Sequence, residues 1–284
     1  MDRDEELEEH YERYRKIIAN MTMMSDSFAR NVLKDKRCTE AVLRIILDDP
    51  TLEVIDQTVQ ADMKNLHGRS AILDCVATDA TGRLFNVEVQ QESEGASPKR
   101  ARYYASLLDM NTMDPGEEFD RLPETYVIFV TRKDVLAAGE PIYHIDRVIR
   151  EGGSGFGDES HIVYVDASRR DDTELGRLMA DFNAKRSADM NNGVLAGRVR
   201  ELKETTKGVE SMCKEMQEIW NEGRDKGRNE GREEGRMEEK KETTLQLAKQ
   251  GLSPENIAKA LRVDVDVIAR WLAEHASSDR IPQA

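Results

Sequence analysis

The chain has 284 residues, of which 38% are hydrophobic and 35% charged, and its formal net charge is −14. That length suits one large domain, or one domain with a tail, and the low apolar share points to a solvated helical extension beside a smaller core. So negative a chain is not expected to hold nucleic acid through its overall field, so any such contact must come from a local basic patch or a metal ion.

Cys38, Cys75 and Cys213 are scattered and odd in number. They read as reduced thiols of a cytoplasmic protein, not as a disulfide framework. The opening MDRDEELEEHYERYRK is acidic and has no apolar core, so it is expected not to be a signal peptide. Residues 1–24 read as a charged helix or frayed arm. No apolar run approaches the roughly 20 residues of a membrane span.

Residues 25–192 read as one mixed α/β sheet domain. Ser25 or Asp26 can cap a helix running to about Asp48, with Phe28, Val32, Val42, Leu43, Ile46 and Leu47 on its apolar stripe and Pro50 closing it. TLEVIDQTV, AILDCVAT and RLFNVEVQ follow as strands. SPKRARYYASLLDM starts a helix capped by Ser97, with Pro98 in its first turn. TYVIFVT is a short continuous apolar run, hence a strand buried on both faces, and SHIVYVDA is another strand. DDTELGRLMADF opens the next helix.

The remainder differs. Residues 193–246 predict one long helix. Leu195, Val199, Leu202, Thr206, Val209, Cys213, Met216 and Trp220 form a heptad-like seam on it. Gly223, Gly227, Gly231 and Gly235 then recur every fourth residue, each followed by Arg. Each glycine weakens a helix by about 1 kcal/mol against Ala. The repeat is either a solvated, partly frayed connector or a stripe for close helix–helix contact. Residues 247–276 read as a helical hairpin, with Ser253 and Asp264 as caps, and residues 277–284 as a disordered tail. The hairpin resembles a helix-turn-helix, but Asp264 and Asp266 stand where phosphates would be met, which favours packing over DNA readout.

The stretch LDCVATDATGRLFNVEVQQ carries the chemistry. With Ala80, Thr81 and Gly82 as a three-residue hairpin loop, Asp79 faces Arg83. Ala77 then faces Phe85, Cys75 faces Val87 and Leu73 faces Val89, all apolar pairs on one buried face. On the other face Asp74 meets Glu88, and Ile72 meets Gln90. A loop of another length would separate the two acids. Opposed carboxylates are unfavourable unless solvated, unless one keeps its proton, or unless a cation sits between them. Carboxylate oxygens with a backbone carbonyl, such as that of Val89, suit Mg²⁺. Gln90 can orient water or substrate but cannot take a proton.

Asp74 followed by Glu88-Val89-Gln90 on adjacent strands, after an acidic first helix, resembles the PD-(D/E)XK nucleases. The form LD…D…G…NVEVQ is similar to the recombination-promoting nucleases, also described as PD-(D/E)XK nuclease family transposases. MSDSFARNVLKDK, KRARYYASLL, TYVIFVT, the Gly-Arg-Glu repeat and AKQGLSPENIAKAL extend the likeness over most of the chain. The resemblance implies a PD-(D/E)XK restriction-endonuclease-like α/β fold, a mixed sheet flanked by helices, followed by a long helical extension. It implies a bacterial, cytoplasmic DNA endonuclease linked to recombination or transposition. Mg²⁺ would be its cofactor, with Mn²⁺ or Ca²⁺ as substitutes. Asp74 and Glu88 would be catalytic and metal-binding, Gln90 would stand where Lys is usual, and Glu40 would be the fold's additional acid. An activated water would attack the phosphodiester in line and leave a 5′-phosphate.

Arg69, Lys99, Arg100 and Arg102 are candidates for the DNA backbone, or for surface ion pairs. Tyr103 and Tyr104 read as core and rim residues. His10, His67, His144, His161 and His275 show no zinc spacing. The alternative function is an inactive nuclease-like domain that binds DNA or assembles copies of the chain through the C-terminal helix.

Overall fold

A computed structural model describes residues 3–65, 68–91 and 93–278. His67 lies outside these, as does the expected disordered tail from residue 279 onward; Ser278 still ends a helix. The chain begins with α1 (Arg3–Asn20), α2 (Asp26–Leu33) and α3 (Lys36–Ile46). The single helix expected from 25 to 48 is therefore two. Asp35 accepts the Arg37 N–H at 3.1 Å and starts a new helix. Both pieces bury the predicted stripe, including Phe28, Val32, Val42, Leu43 and Ile46.

The strands are β1 (Val54–Met63), β2 (Ala71–Asp79) and β3 (Leu84–Gln90), then α4 (Pro98–Thr112), β4 (Thr125–Thr131), β5 (Ile142–Ile145) and β6 (Ser160–Asp166). Helices α5 (Glu174–Asn183), α6 (Gly193–Glu204), α7 (Thr206–Lys249), α8 (Pro254–Leu261) and α9 (Val265–Ser278) complete the chain. Among the described residues, six strands form one sheet in the order β1-β2-β3-β4-β6-β5. β1, β2 and β3 pair antiparallel; β3, β4 and β6 run parallel; β5 is an antiparallel edge. β5 was not expected, because four residues are too few to show alternation.

Asn86 and Glu88 share a sheet face with their partners Val127 and Phe129. α4 covers that face with Ala101, Tyr104, Leu107 and Leu108. On the opposite face Cys75 Sγ lies 3.8 Å from Thr39 Oγ1 of α3. This is the mixed α/β sheet flanked by helices that the sequence predicts, with the long helical extension after it.

By packing, the chain divides into Met1–Cys213 and Lys214–Ala284. In the first unit Leu195, Val199, Leu202, Met212 and Cys213 are buried. The helix carrying them breaks at Thr205, whose hydroxyl donates to the Glu201 carbonyl at 2.7 Å and accepts the Gly208 N–H at 3.0 Å. In the second unit Ile257, Ile268 and Trp271 form a small core with Leu247 and Leu261. Ser253 accepts the Asn256 N–H, and Asp264 accepts the Asp266 N–H. Gly223, Gly227, Gly231 and Gly235 have open space around them. No helix among the described residues is long and apolar enough to cross a membrane.

Candidate active site

The β2–β3 hairpin closes through the predicted three-residue loop. The Asp79 N–H donates to the Arg83 carbonyl at 3.1 Å, and the Gly82 N–H donates to the Asp79 carbonyl at 3.0 Å. Gly82 adopts φ +91°, which a side chain would strain. The buried Asp79 carboxylate fixes the loop. It accepts the Thr81 N–H and hydroxyl, the Arg83 N–H at 2.9 Å and the Arg83 Nε at 2.7 Å. Arg83 also reaches Asp49 at 2.7 Å. The register that follows pairs Ala77 with Phe85 and Cys75 with Val87.

The register stops at that pair. Leu73–Val89 and Ile72–Gln90, expected next, do not form. β2 stays paired with β1 as far as Ala71, whereas β3 stays with β4 as far as Gln90. The strands fork, and the two carboxylates fill the gap. The Asp74 N–H donates to Glu88 Oε1 at 3.0 Å, and the Val89 N–H donates to Asp74 Oδ2 at 3.2 Å. The Asp74 carboxylate thus takes the Val89 amide that a continued β2–β3 ladder would have used. Gln90 offers its carbonyl to Arg132 beside β4, so alternation along the strand turns the Val89 carbonyl toward the fork.

Burial dominates the electrostatics. Glu88 is 1% exposed, and Asp74 is half-buried. Burial first, and the Asp74 charge second, push the Glu88 pKa well above the usual carboxylate range; the Asp74 N–H, Asn86 and Arg100 oppose this. Asp74 is also raised, by burial and then by the charge of Asp26, against the Val89 N–H, Arg30 and Arg100. Glu88 Oε2 is buried with no hydrogen-bond partner, and the nearest cation, Arg100, stands 3.8 Å away.

Arg100 donates from Nε to the Tyr104 hydroxyl at 2.6 Å and lies 4.9 Å over the Tyr104 ring. Tyr104 stacks in turn on Phe129, the β4 partner of Glu88. Arg69, Lys99, Arg100 and Tyr103 line a groove of about 1030 Å³ with the exposed Ile72. Arg102 is exposed and does not line it. The Gln90 amide lies against Gly95, where a Cβ would come 2.1 Å from Gln90 Oε1.

The structure therefore brings together Asp74, Glu88, Val89 and Arg100, with Gln90 and Arg69 beside them. Glu40 is not brought to the pair. Its carboxylate accepts the Val54 N–H at 3.0 Å and pairs with Arg44 at 2.9 Å. Val54 lies opposite Asp79, five residues along β2 from Asp74, or about 17 Å of strand. The acid that sequence reading missed is Asp26, whose charge acts on Asp74 and whose carboxylate pairs with Arg30 at 2.9 Å. The sequence alone offers it only as a helix cap. Its signal was its place within MSDSFARNVLKDK, the stretch that carries the likeness at the start of the fold. Among the described residues no group of three or more His, Cys, Asp and Glu side chains is disposed to hold a metal ion.

A family model described as PD-(D/E)XK nuclease family transposase matches residues 28–174, just over half of the chain. No curated protein and no solved structure matches it.

Proposed function

The chain belongs to the PD-(D/E)XK nuclease family transposases, and we propose that it is a DNA endonuclease that uses Mg²⁺ held between Asp74 and Glu88. The observation that carries this reading is the buried Glu88 Oε2 with no partner, aligned with a second acid in a fork of the sheet. A buried carboxylate without a counter-charge is costly and holds its proton unless a cation joins it. Two carboxylates and a strand carbonyl form a hard oxygen donor set that fits Mg²⁺ or Mn²⁺. When bound, such an ion lowers the pKa of water and neutralises charge on a phosphate.

The chain's own residues do the rest. Asp74, Glu88 and the Val89 carbonyl would hold the ion, and Asp26 would add negative charge at its edge. Gln90 orients water or the phosphate by hydrogen bonding, held in place by the close approach to Gly95. Arg100, fixed on Tyr104, meets the DNA backbone from the groove with Arg69 and Lys99. Arg102 contributes charge from outside it. Recombination or transposition is the setting that the family description favours.

One observation favours the alternative of an inactive module: no third acid closes on the pair among the described residues. Plasmid nicking by purified protein with Mg²⁺, Mn²⁺ and Ca²⁺, beside Asp74→Ala, decides between them. Metal-dependent nicking lost in the variant supports the enzyme; equal nicking by both removes the assignment.

A further inference from the structure

Asn86 is wholly buried, and neither its Oδ1 nor its Nδ2 completes a hydrogen bond of ordinary geometry. Its neighbours across the sheet are Val76 on β2 and Val127 on β4, both buried. The row is apolar, and a valine would continue it. An amide left unbonded there is destabilising, because both its donor and its acceptor lose water and gain nothing. Such a residue needs a partner to be intelligible.

The partner is two residues along the same face. Side chains at this spacing on a strand point to one side of the sheet. Glu88 Oε2 is, among the described residues, a second buried polar group on this face without a hydrogen-bond partner. The Asn86 amide already lies close enough to favour the charged form of Glu88. On the far side of Glu88, the Asp74 N–H holds Oε1 at 3.0 Å. One oxygen is thus fixed by the backbone, and the other has no hydrogen-bond partner, with Arg100 3.8 Å away.

Resting on the reading of Glu88 as a metal ligand, we propose that Asn86 is a positioning residue that orients Glu88 Oε2 for the cation through its Nδ2–H. It touches neither substrate nor metal. It supplies the hydrogen bond that a ligating carboxylate needs from outside the coordination sphere, and loss of such partners typically costs about 10–100-fold in metal affinity.

The test is calorimetric titration of Mn²⁺ into the full chain at pH 7.5, with thermal melting in the absence of metal. The variants are Asn86→Val, Asn86→Ser and Glu88→Gln. Asn86→Val is expected to melt no lower than the parent, since it removes two unbonded polar atoms, yet to bind Mn²⁺ at least 10-fold more weakly. Asn86→Ser, which keeps a donor, is expected to recover part of that affinity. Unchanged Mn²⁺ affinity in Asn86→Val, with binding lost in Glu88→Gln, overturns the role of Asn86 and leaves the metal site standing. If Asn86→Val does not fold, Asn86→Ser decides: affinity weaker than the parent's but stronger than that of Glu88→Gln supports the donor role, and parental affinity, or affinity as weak as that of Glu88→Gln, contradicts it. Parental binding by Glu88→Gln overturns the metal site itself.

Discussion

Asp74 and Glu88 meet by trading backbone amides across a fork, not by facing each other in a ladder: each carboxylate accepts an N–H from the other's strand, at 3.0 and 3.2 Å. The exchange uses one oxygen of each acid and leaves Glu88 Oε2 buried without a hydrogen-bond partner. It also explains why the hairpin stops pairing at Cys75 and Val87. A fully zipped hairpin would have used the Val89 amide for Leu73 and closed the space.

Removing either acid should therefore abolish metal-dependent cleavage. Asp74→Asn and Glu88→Gln keep the shape and can still accept the amide hydrogen bonds. Each is expected to fold and to lower nicking by about two orders of magnitude or more. Initial rates on supercoiled plasmid, with circular dichroism as the control for folding, check this.

The pH dependence of stability has a definite sign. Glu88 titrates higher in the folded chain than its ordinary value of 4.5, at about 8, chiefly through burial. The folded state then binds the proton more tightly than the unfolded state. Stability is fullest at acidic pH and falls as pH rises through the folded pKa. In EDTA at pH 8.5 the parent is expected to melt roughly 5 °C or more below Glu88→Gln. The difference should shrink toward pH 4.5. Mg²⁺ should raise the melting temperature of the parent at pH 8.5 and leave that of the variant unchanged.

Gly95→Ala separates positioning from folding. The added Cβ meets the end of a flexible side chain, Gln90 Oε1, at 2.1 Å. Gln90 can swing away at little cost in stability. Melting is expected within about 2 °C of the parent. Nicking is expected to fall several-fold, because the amide leaves its place.

Much of this was legible in the sequence, and the reason is local. The loop of Ala80, Thr81 and Gly82 obeys rules that act over a few residues, and Asp79 and Arg83 pin it on the spot. That loop brought Asp74 and Glu88 to one place without knowledge of the rest of the fold. The strand Thr125–Thr131 was equally plain, because an apolar run of that length has few other uses. What failed was non-local. Nothing in the alternation of Leu73 and Val89 announces that their strands part where the Asp74 side chain takes the Val89 amide. Glu40 and Asp26 both sit on helices before the sheet, and only the packing shows which one acts on Asp74. The break at Asp35 hid inside a continuous apolar stripe, because both helices bury the same face.

The glycine repeat of α7 also yields a test. A Cβ added at Gly223, Gly227, Gly231 or Gly235 would point into open space. As a solvated connector, the segment should gain about 0.5–1 kcal/mol for each Gly→Ala change. The fourfold variant is expected to show more helix and a higher melting temperature for the C-terminal unit. If the stripe instead packs against a second copy, the same variant should lose self-association in sedimentation.

The most direct measurement is anomalous diffraction at the manganese edge from crystals of the full chain soaked in Mn²⁺. The account predicts a peak in the fork between β2 and β3, bonded to an oxygen of Asp74 and to Glu88 Oε2. Saturating Mn²⁺ with both carboxylates ordered and no peak between them would contradict it.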